Sequence, residues 1–393
     1  MSAKLTPAAE TARLIDSLGT EALAKAQAYT VGNQWLLFAS AAVSIFIAWL
    51  IVRFKLLDWV AAKLSGQRWA LATFGVSAAF MAITSLLSLP WSLYTDWQRQ
   101  TAYGLSKQPL GDFLGQWGLD LAFDVLLGGL FLLGIYALIR KTGSRWWLWS
   151  GALAAMAALL MLLIGPSLIQ PLFNDYKPVP PGPVLTALEK IADDVDIPHD
   201  RIFMFDGSRQ SERFTANVTG IGPSARIAIS DVALKQATLD EVRAVTGHEA
   251  GHYKLGHVWR SMIVMPLIAL LSFYLLNRLY TPTARLLGSQ ARLDEPRGLP
   301  VFVVLGTVLS LLTTPIINGL TRIGETEADI YSLRTVNEPD ALASALVKTA
   351  EYRYPRPPAW QEVLFYTHPS VEKRVLRAME WKAANAGATR APQ

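Results

Sequence analysis

Two histidines and a glutamate lie within five residues near the middle of this 393-residue chain, in the run His248-Glu249-Ala250-Gly251-His252. On a helix, residues four apart lie on one face, so both imidazoles can reach a single zinc ion. Glu249 follows the first histidine, where its carboxylate can take the proton of a water that attacks a carbonyl. The spacing predicts a zinc hydrolase site; the alternative is a pair of helix-surface histidines.

A catalytic zinc site takes three protein ligands and leaves one position open, so a third ligand must come from elsewhere in the chain. Glu325 and Asp329 are the best candidates, because they are four residues apart and share a helical face. Glu325 could bind the metal while Asp329 accepts a hydrogen bond from a ligand histidine. Glu327 points about 160° away from that face and is the weaker choice. The alternative is a solvated helix start whose acids are stabilised by the helix dipole.

The elements around these residues indicate a small α/β unit. Thr238 and Glu241 have the spacing of a capping box, which predicts that the helix with the two histidines begins there. Residues 202–205 predict a strand, and residues 217–219 and 225–230 predict a hairpin with a Gly- and Pro-containing turn. Further helices are predicted at 184–195, 340–351 and 371–384, with a Pro-rich loop between the last two.

The composition points to a membrane protein, since 52% of the residues are hydrophobic and 17% are charged. Soluble domains carry about 25% charged residues. Segments of about 18 or more apolar residues are long enough to cross the hydrocarbon as helices. Buried helices of a large soluble enzyme are the alternative, but six such segments are hard to bury in water. The six predicted spans are 35–52, 69–91, 117–139, 146–168, 258–276 and 299–320.

These patterns predict a mainly α-helical, multi-pass membrane protein with a small zincin-like α/β catalytic unit between spans four and five. The chain has no cysteine, which excludes disulfides and a thiol nucleophile. The net charge of +5 resides mainly in short loops between spans, and we interpret it as topology rather than nucleic-acid binding. The predicted parts are a polar segment at 1–34, a four-span block at 35–170, the catalytic unit at 171–257, a two-span block at 258–320 and a helical tail at 321–393.

The motifs resemble those of the type I CAAX prenyl proteases, the membrane zinc endopeptidases that process prenylated proteins. The resemblance is carried by the HExxH helix, the ExxAD run at 325–329 and a late His-Pro at 368–369. It extends from about the second span to the tail. Three further segments that resemble the family are LPWSLY at 89–94, YGLSKQ at 103–108 and PLFN at 171–174.

The resemblance implies roles for particular residues. It supports Glu325 as the third zinc ligand and Asp329 as the acid that supports the site. It implies that Asn217 lies on an edge strand and touches the backbone of an extended substrate, which physically is strand addition. It also implies that His368 stabilises the oxyanion and that Arg374 lies close by and contacts substrate. The spans of the family enclose a water-filled chamber with the metal site inside, and we expect the same here.

Two features depart from the family pattern. The family has seven spans, whereas six are found here, and the polar residues 1–34 take the place of its first span. Lys and Arg are concentrated in the first, third and fifth loops, which by the positive-inside rule places these loops in the cytoplasm and the zinc site outside. The resemblance implies a zinc site that faces the cytosol. We favour the orientation of the family, in a bacterial inner membrane.

The sequence thus predicts a membrane endopeptidase that hydrolyses an extended peptide segment near the carboxyl terminus of its substrate, with prenylated CAAX-type proteins or other membrane-associated proteins as substrates. A broad-specificity quality-control protease is the alternative among enzymes. A non-catalytic receptor or transporter with a structural metal site is the alternative of another class. Glu249 argues against the latter, because it is not a ligand and a purely structural site does not need it.

Overall fold

The computed structural model describes residues 5–386, which form long helices and one small sheet. Short 3-10 and π-helical segments join several of the helices. The strands are β1 (Tyr176–Pro178), β2 (Ile202–Phe205), β3 (Ala216–Thr219) and β4 (Arg226–Ser230). The helices are α1 (Pro7–Asp16), α2 (Gly19–Arg53), α3 (Leu56–Lys63), α4 (Trp69–Ser92), α5 (Arg99–Ala102), α6 (Leu110–Phe123), α7 (Gly129–Thr142), α8 (Trp146–Ile164), α9 (Pro183–Asp194), α10 (Asp231–Gln236), α11 (Leu239–Lys254), α12 (His257–Leu287), α13 (Leu299–Thr335), α14 (Pro339–Lys348), α15 (Ala359–Phe365) and α16 (Val371–Ala384).

Among the described residues, five helical stretches are long and apolar enough to cross a membrane. The third of them turns back on itself at Gly143, which has a φ of +54°. Its two arms pack together, because a Cβ on Gly134 would lie 2.9 Å from Leu153. All six predicted apolar segments therefore lie within these stretches, two of them in the hairpin. The stretches are Gly19–Arg53, Trp69–Ala102, Leu110–Leu172, His257–Leu287 and Pro296–Thr335.

The outer faces of these helices carry large apolar side chains that the described chain leaves uncovered. Trp35 is 71% exposed and Leu312 is 67% exposed. An exposed apolar surface of this extent fits contact with lipid better than contact with water.

One end of the helical bundle is closed by a core around Trp146, which is fully buried and donates a hydrogen bond to Asn277 at 2.7 Å. At the same end, Arg297 donates to Asp58 at 2.6 Å, which ties the loop after the first span to the loop before the sixth. The catalytic unit contacts the loop after the second span instead, since Ser106 donates to the carbonyl of Gln210 at 2.7 Å. The first, third and fifth loops between the spans therefore lie at one end of the bundle, and the catalytic unit lies at the other.

The sheet has the order β1-β2-β4-β3, so β3 is an edge strand. β3 and β4 form the predicted antiparallel hairpin, in which Asn217 lies opposite Ala228. The turn requires Gly220, because its φ is +85° and a Cβ there would lie 2.2 Å from the Ser224 carbonyl oxygen. β2 and α9 also lie where they are predicted, whereas the three-residue β1 was not anticipated.

Helix α11 begins at the predicted capping box. Thr238 Oγ1 accepts from the Glu241 amide at 3.2 Å, and Glu241 accepts from the Thr238 amide at 2.8 Å. Gly247 and Gly251 let α13 approach closely: a Cβ on Gly251 would lie 3.2 Å from the Cα of Ala328. This close approach brings the histidines of α11 beside the acids of α13.

The two ends of the chain contain helices that the sequence analysis did not anticipate. Residues 7–16 form α1, which packs on the predicted tail helix α16, and much of the polar segment up to residue 34 belongs to the long helix α2. Helix α15 follows directly after the Pro-rich loop. The polar amino-terminal segment still forms a helix, because the Thr6 side chain caps α1. The Pro-rich loop also permits a helix directly after it, because Pro358 lies at the N-cap of α15 and not inside it.

Candidate active site

Three side chains from α11 and α13 point their metal-binding atoms at one another. His248 Nε2 lies 3.2 Å from His252 Nε2 and 3.2 Å from Glu325 Oε2, and His252 Nε2 lies 3.3 Å from Glu325 Oε1. One ligand atom from each side chain lies within 4.8 Å of the others. The structure therefore brings together the three predicted ligands.

This cluster fits a metal ion on its own geometry. Glu325 Oε2 is buried, and neither His248 nor Arg374 hydrogen-bonds to it, although they lie 3.2 and 3.6 Å away. Burial alone would lower the pKa of His248, but the nearby carboxylates of Asp329 and Glu325 outweigh burial and raise it to about 9. The cluster thus favours a positive charge among its nitrogen and oxygen atoms. A divalent cation that binds nitrogen and oxygen ligands would supply that charge.

His248 is held from behind by a buried acid. Its Nδ1 lies 3.0 Å from Asp329, which is 1% exposed. Arg374 donates two hydrogen bonds to Asp329, at 2.7 and 2.9 Å, and Arg377 donates a third at 3.2 Å. Arg374 lies 3.6 Å from Glu325 of the metal cluster and is paired with Asp329, while its predicted contact with substrate stays a prediction.

His252 has a different partner, which the sequence analysis left unassigned. Its Nδ1 lies 2.8 Å from Nδ1 of His257, the first residue of α12. His257 Nε2 lies 2.9 Å from a carboxylate oxygen of Glu327, off the N–H direction, and Arg260 donates to the same oxygen at 3.0 Å. The contact was hard to predict because it depends on the break between α11 and α12 at Gly256, where φ is +69°.

Glu249 lines a cavity of about 300 Å³ beside the metal cluster. Burial raises the pKa of Glu249, which favours a group that accepts a proton during reaction. The far wall of the cavity is apolar, with Leu342 and Leu346 from α14. The strand side of the cavity ends at Ala216, so Asn217 lies one residue beyond the lining. Asn217 Oδ1 is buried and has no hydrogen-bond partner among the described residues.

His368 lines the same cavity as Glu249, with Nε2 3.3 Å from Glu325 Oε1. Burial and the nearby Arg353 lower its pKa to about 3, so the ring is neutral near pH 7. Its Nδ1 lies 2.8 Å from the Thr367 hydroxyl. When that hydroxyl donates to Nδ1, the ring proton resides on Nε2, where it can act as a hydrogen-bond donor.

A second cavity, of about 370 Å³, lies between α2, α13 and the loop that carries His368. It shares Tyr352, Arg353 and His368 with the first cavity, so these side chains form the wall between the two. Its other walls include Leu37 and Phe365. The site therefore has a second, partly apolar compartment beside the metal cluster.

A helical membrane bundle with an HExxH helix and a nearby glutamate defines the class of membrane metalloendopeptidases. The family model described as peptidase family M48 matches residues 182–382, half of the chain, and this chain belongs to that family. A second model, described as the CAAX prenyl protease N-terminal region with five membrane helices, matches residues 4–175. The family resemblance predicted from the motifs is thereby confirmed.

Relatives of similar length support this membership. The chain is 27% identical to the uncharacterized metalloprotease YhfN of Bacillus subtilis, over 91% of this chain and 85% of that protein. It is 28% identical to a CAAX prenyl protease 1 homolog of Arabidopsis thaliana, over 93% and 89%. The crystal structure of S. mikatae Ste24p has the same fold, with a TM-score of 0.77, 21% identity, and coverage of 93% of this chain and 90% of that one. The predicted fold and the multi-pass membrane architecture are confirmed.

Proposed function

We propose that His248, His252 and Glu325 hold a zinc ion and that Glu249 is the general base of this membrane metalloendopeptidase. The observation that carries the proposal is the convergence of three ligand atoms within 4.8 Å, next to the half-buried carboxylate of Glu249, which is not one of them. Two histidines and a carboxylate are the ligands of zinc sites that leave a position open for substrate. A bound zinc ion would supply Lewis acidity, which polarises a carbonyl and makes water acidic enough to attack near neutral pH.

The other side chains act on protons and charge. Glu249 accepts the proton of the attacking water and passes it to the leaving amine. His368, with its proton on Nε2, donates a hydrogen bond to the oxyanion, an interaction worth about 2.7–4 kcal/mol. Asp329 orients His248, and Arg374 holds Asp329 in place.

The substrate segment is extended and pairs with β3. An edge strand has unpaired backbone groups that a peptide can complete. The orphaned Oδ1 of Asn217 supports this placement, because a substrate N–H would satisfy it.

The substrate class that we propose is membrane-associated protein with a carboxyl-terminal CAAX sequence, including its prenylated form. The names of several relatives, such as the CAAX prenyl protease 1 homolog of Arabidopsis thaliana, support it. The partly apolar second cavity gives a prenyl chain a place next to the metal cluster. We further propose a bacterial inner membrane as the location, with the catalytic unit on the cytoplasmic side.

The test is cleavage of one CAAX peptide, farnesylated and unmodified, by detergent-purified, zinc-loaded protein. We expect wild type to cut, the farnesyl group to raise the rate, and Glu249→Gln to lower kcat by about 10²- to 10⁴-fold while zinc remains bound. Glu351→Gln is the matched control, because Glu351 is exposed and outside both cavities.

Equal cleavage of both peptides would show that the enzyme does not recognise the farnesyl group, and it would favour the broad-specificity protease. No cleavage by wild type with zinc bound would contradict the CAAX substrate class. Cleavage by Glu249→Gln at the rate of wild type would contradict the assigned base.

A further inference from the structure

Two arginines in the catalytic cavity form no ion pair with a carboxylate among the described residues. Arg213 and Arg353 line the same cavity as His248 and Glu249. Among the described residues, neither guanidinium has a carboxylate within 4 Å, whereas Arg374 in that cavity is paired with Asp329. The cavity therefore contains two guanidinium groups without a directly paired carboxylate.

The two arginines contact one aromatic ring. The guanidinium of Arg213 lies 4.6 Å from the ring centre of Tyr352, and that of Arg353 lies 5.5 Å from it. Cation–π contact favours the position of each guanidinium, but two like charges beside one ring repel each other. An anion that contacts both guanidinium groups would offset this repulsion.

Arg213 is held in place by hydrogen bonds to neutral groups, which do not balance its positive charge. Its Nη2 donates to the Tyr29 hydroxyl at 2.9 Å and to Gln100 at 3.0 Å, both of which are neutral. Its Nε is buried and has no hydrogen-bond partner among the described residues. A buried donor without a partner is unfavourable, and a ligand oxygen would satisfy it. Burial also lowers the pKa of Arg353, and the attraction of Glu325 does not offset it.

The position of the pair along the substrate follows from the sheet. Arg213 precedes the edge strand β3, which begins at Ala216. A peptide that adds to β3 in the antiparallel direction runs opposite to it. Its residues on the carboxyl side of the scissile bond then lie at the amino end of β3, where Arg213 is.

We propose that Arg213 and Arg353 form a subsite for a substrate carboxylate on the carboxyl side of the scissile bond. The planar guanidinium fork matches the two oxygens of a carboxylate, which gives charge-assisted and directional hydrogen bonds. The carboxylate is either the free carboxyl terminus of the substrate or an Asp or Glu side chain just before it. The subsite favours cleavage close to a chain end or an acidic residue. This inference rests on the proposed peptidase function.

The test uses four peptides with one common core. One has a free carboxyl terminus, one is amidated, one is amidated with a Glu on the carboxyl side of the scissile bond, and one is amidated with Gln at the same position. Hydrogen bonds to a charged group contribute about 1.5–3 kcal/mol. We therefore expect wild type to prefer a carboxylate peptide over its neutral partner by about 10- to 100-fold in kcat/KM. Whether the free terminus or the Glu side chain gives the preference identifies the source.

Arg353→Gln and Arg213→Gln should move this ratio toward one, and Arg353→Lys should retain part of it. Arg334→Gln is the matched control, because Arg334 is exposed and lies outside the cavity, and it should keep both ratio and activity. Zinc content and the unfolding midpoint of each variant show that it is folded. No preference in wild type, or a preference that survives in both Gln variants, overturns the proposal.

A binding measurement separates this inference from the proposed function. In the Glu249→Gln background, the carboxylate peptide should bind about 10- to 100-fold more tightly than the amide. Adding Arg353→Gln should remove the difference. This result would support the subsite even if no peptide were cleaved, and equal binding of acid and amide would contradict it even if both were cut.

Discussion

At the residue scale, the two histidines that we assign to the metal have partners of different kinds. His248 contacts the buried carboxylate of Asp329 directly. His252 contacts His257, whose other nitrogen faces Glu327. If His252 binds zinc as proposed, its ring proton would reside on Nδ1 and would be donated to His257, which would fix the tautomers of both rings. We therefore predict that His257 positions the ring of His252.

We predict that His257→Phe weakens zinc binding by about 10- to 100-fold, because His252 loses the acceptor that orients its ring. His257→Gln should recover part of the affinity, since its amide oxygen can accept the same proton. Competition for zinc with a chelator of known affinity measures the change without reference to activity.

His199→Gln is the matched control for His257, because His199 is half-exposed and contacts only surface acids of the catalytic unit. It should bind zinc like wild type. Unchanged zinc affinity in His257→Phe would show that the imidazole only fills space at the start of α12.

At the element scale, local signals predicted the parts of the site and tertiary contacts assembled them. Thr238 and Glu241 predict the start of α11 as a capping box. The four-residue spacing of Glu325 and Asp329 predicts that they share a helical face. Each signal spans about one turn of helix. The approach of α13 to α11 depends on Gly247 and Gly251, which no local pattern marks as contacts between helices. The pair Arg213 and Arg353 comes from segments 140 residues apart in the sequence, so it becomes visible only in the fold.

The amino end of α11 is stabilised by more than its own capping box. Glu241 is 2% exposed and also accepts hydrogen bonds from Lys348 at 2.7 Å and Ser344 at 2.8 Å, both on α14. Burial alone would raise the pKa of Glu241, but these bonds and the Thr238 amide outweigh it and lower the pKa. The charge of Glu241 therefore ties the helix with the two histidines to the cavity wall formed by α14.

We predict that Glu241→Gln lowers the free energy of unfolding by about 0.5–1.5 kcal/mol at pH 7, because the buried side chain loses its charge-assisted hydrogen bond from the exposed Lys348. A carboxyl with a lowered folded-state pKa stabilises the protein above its unfolded pKa of about 4.3, and the contribution is lost as the pH falls through the folded pKa. The difference between wild type and variant should therefore shrink on acidification below about pH 4.

Denaturant unfolding in detergent, followed at several pH values, measures this difference. Asp240→Asn is the matched control, because Asp240 lies in the same helical turn but is exposed and contacts only Arg243, at 3.4 Å. A Glu241→Gln effect no larger than that of Asp240→Asn would contradict the prediction.

At the scale of the whole molecule, the bundle separates a basic end from a catalytic end. The loops after the first span and before the sixth meet through Asp58 and Arg297, while the catalytic unit contacts the loop after the second span. The distribution of Lys and Arg places the basic end in the cytoplasm. Our proposal places the catalytic end there, so the two orientations predict opposite accessibilities for the same residues.

The absence of cysteine makes this question directly testable, because a single introduced cysteine is the only thiol in the chain. Ser65 lies exposed in the first loop, and Thr186 lies exposed on α9 of the catalytic unit. In intact bacterial cells that express the protein, a membrane-impermeant maleimide should label Ser65→Cys and leave Thr186→Cys unlabelled until the membrane is permeabilised. The cysteine-free wild type is the blank. The reverse pattern would place the metal site outside the cytoplasm. A prenyl group attached in the cytosol would then lie on the other side of the membrane from the site. The substrates would in that case be exported proteins.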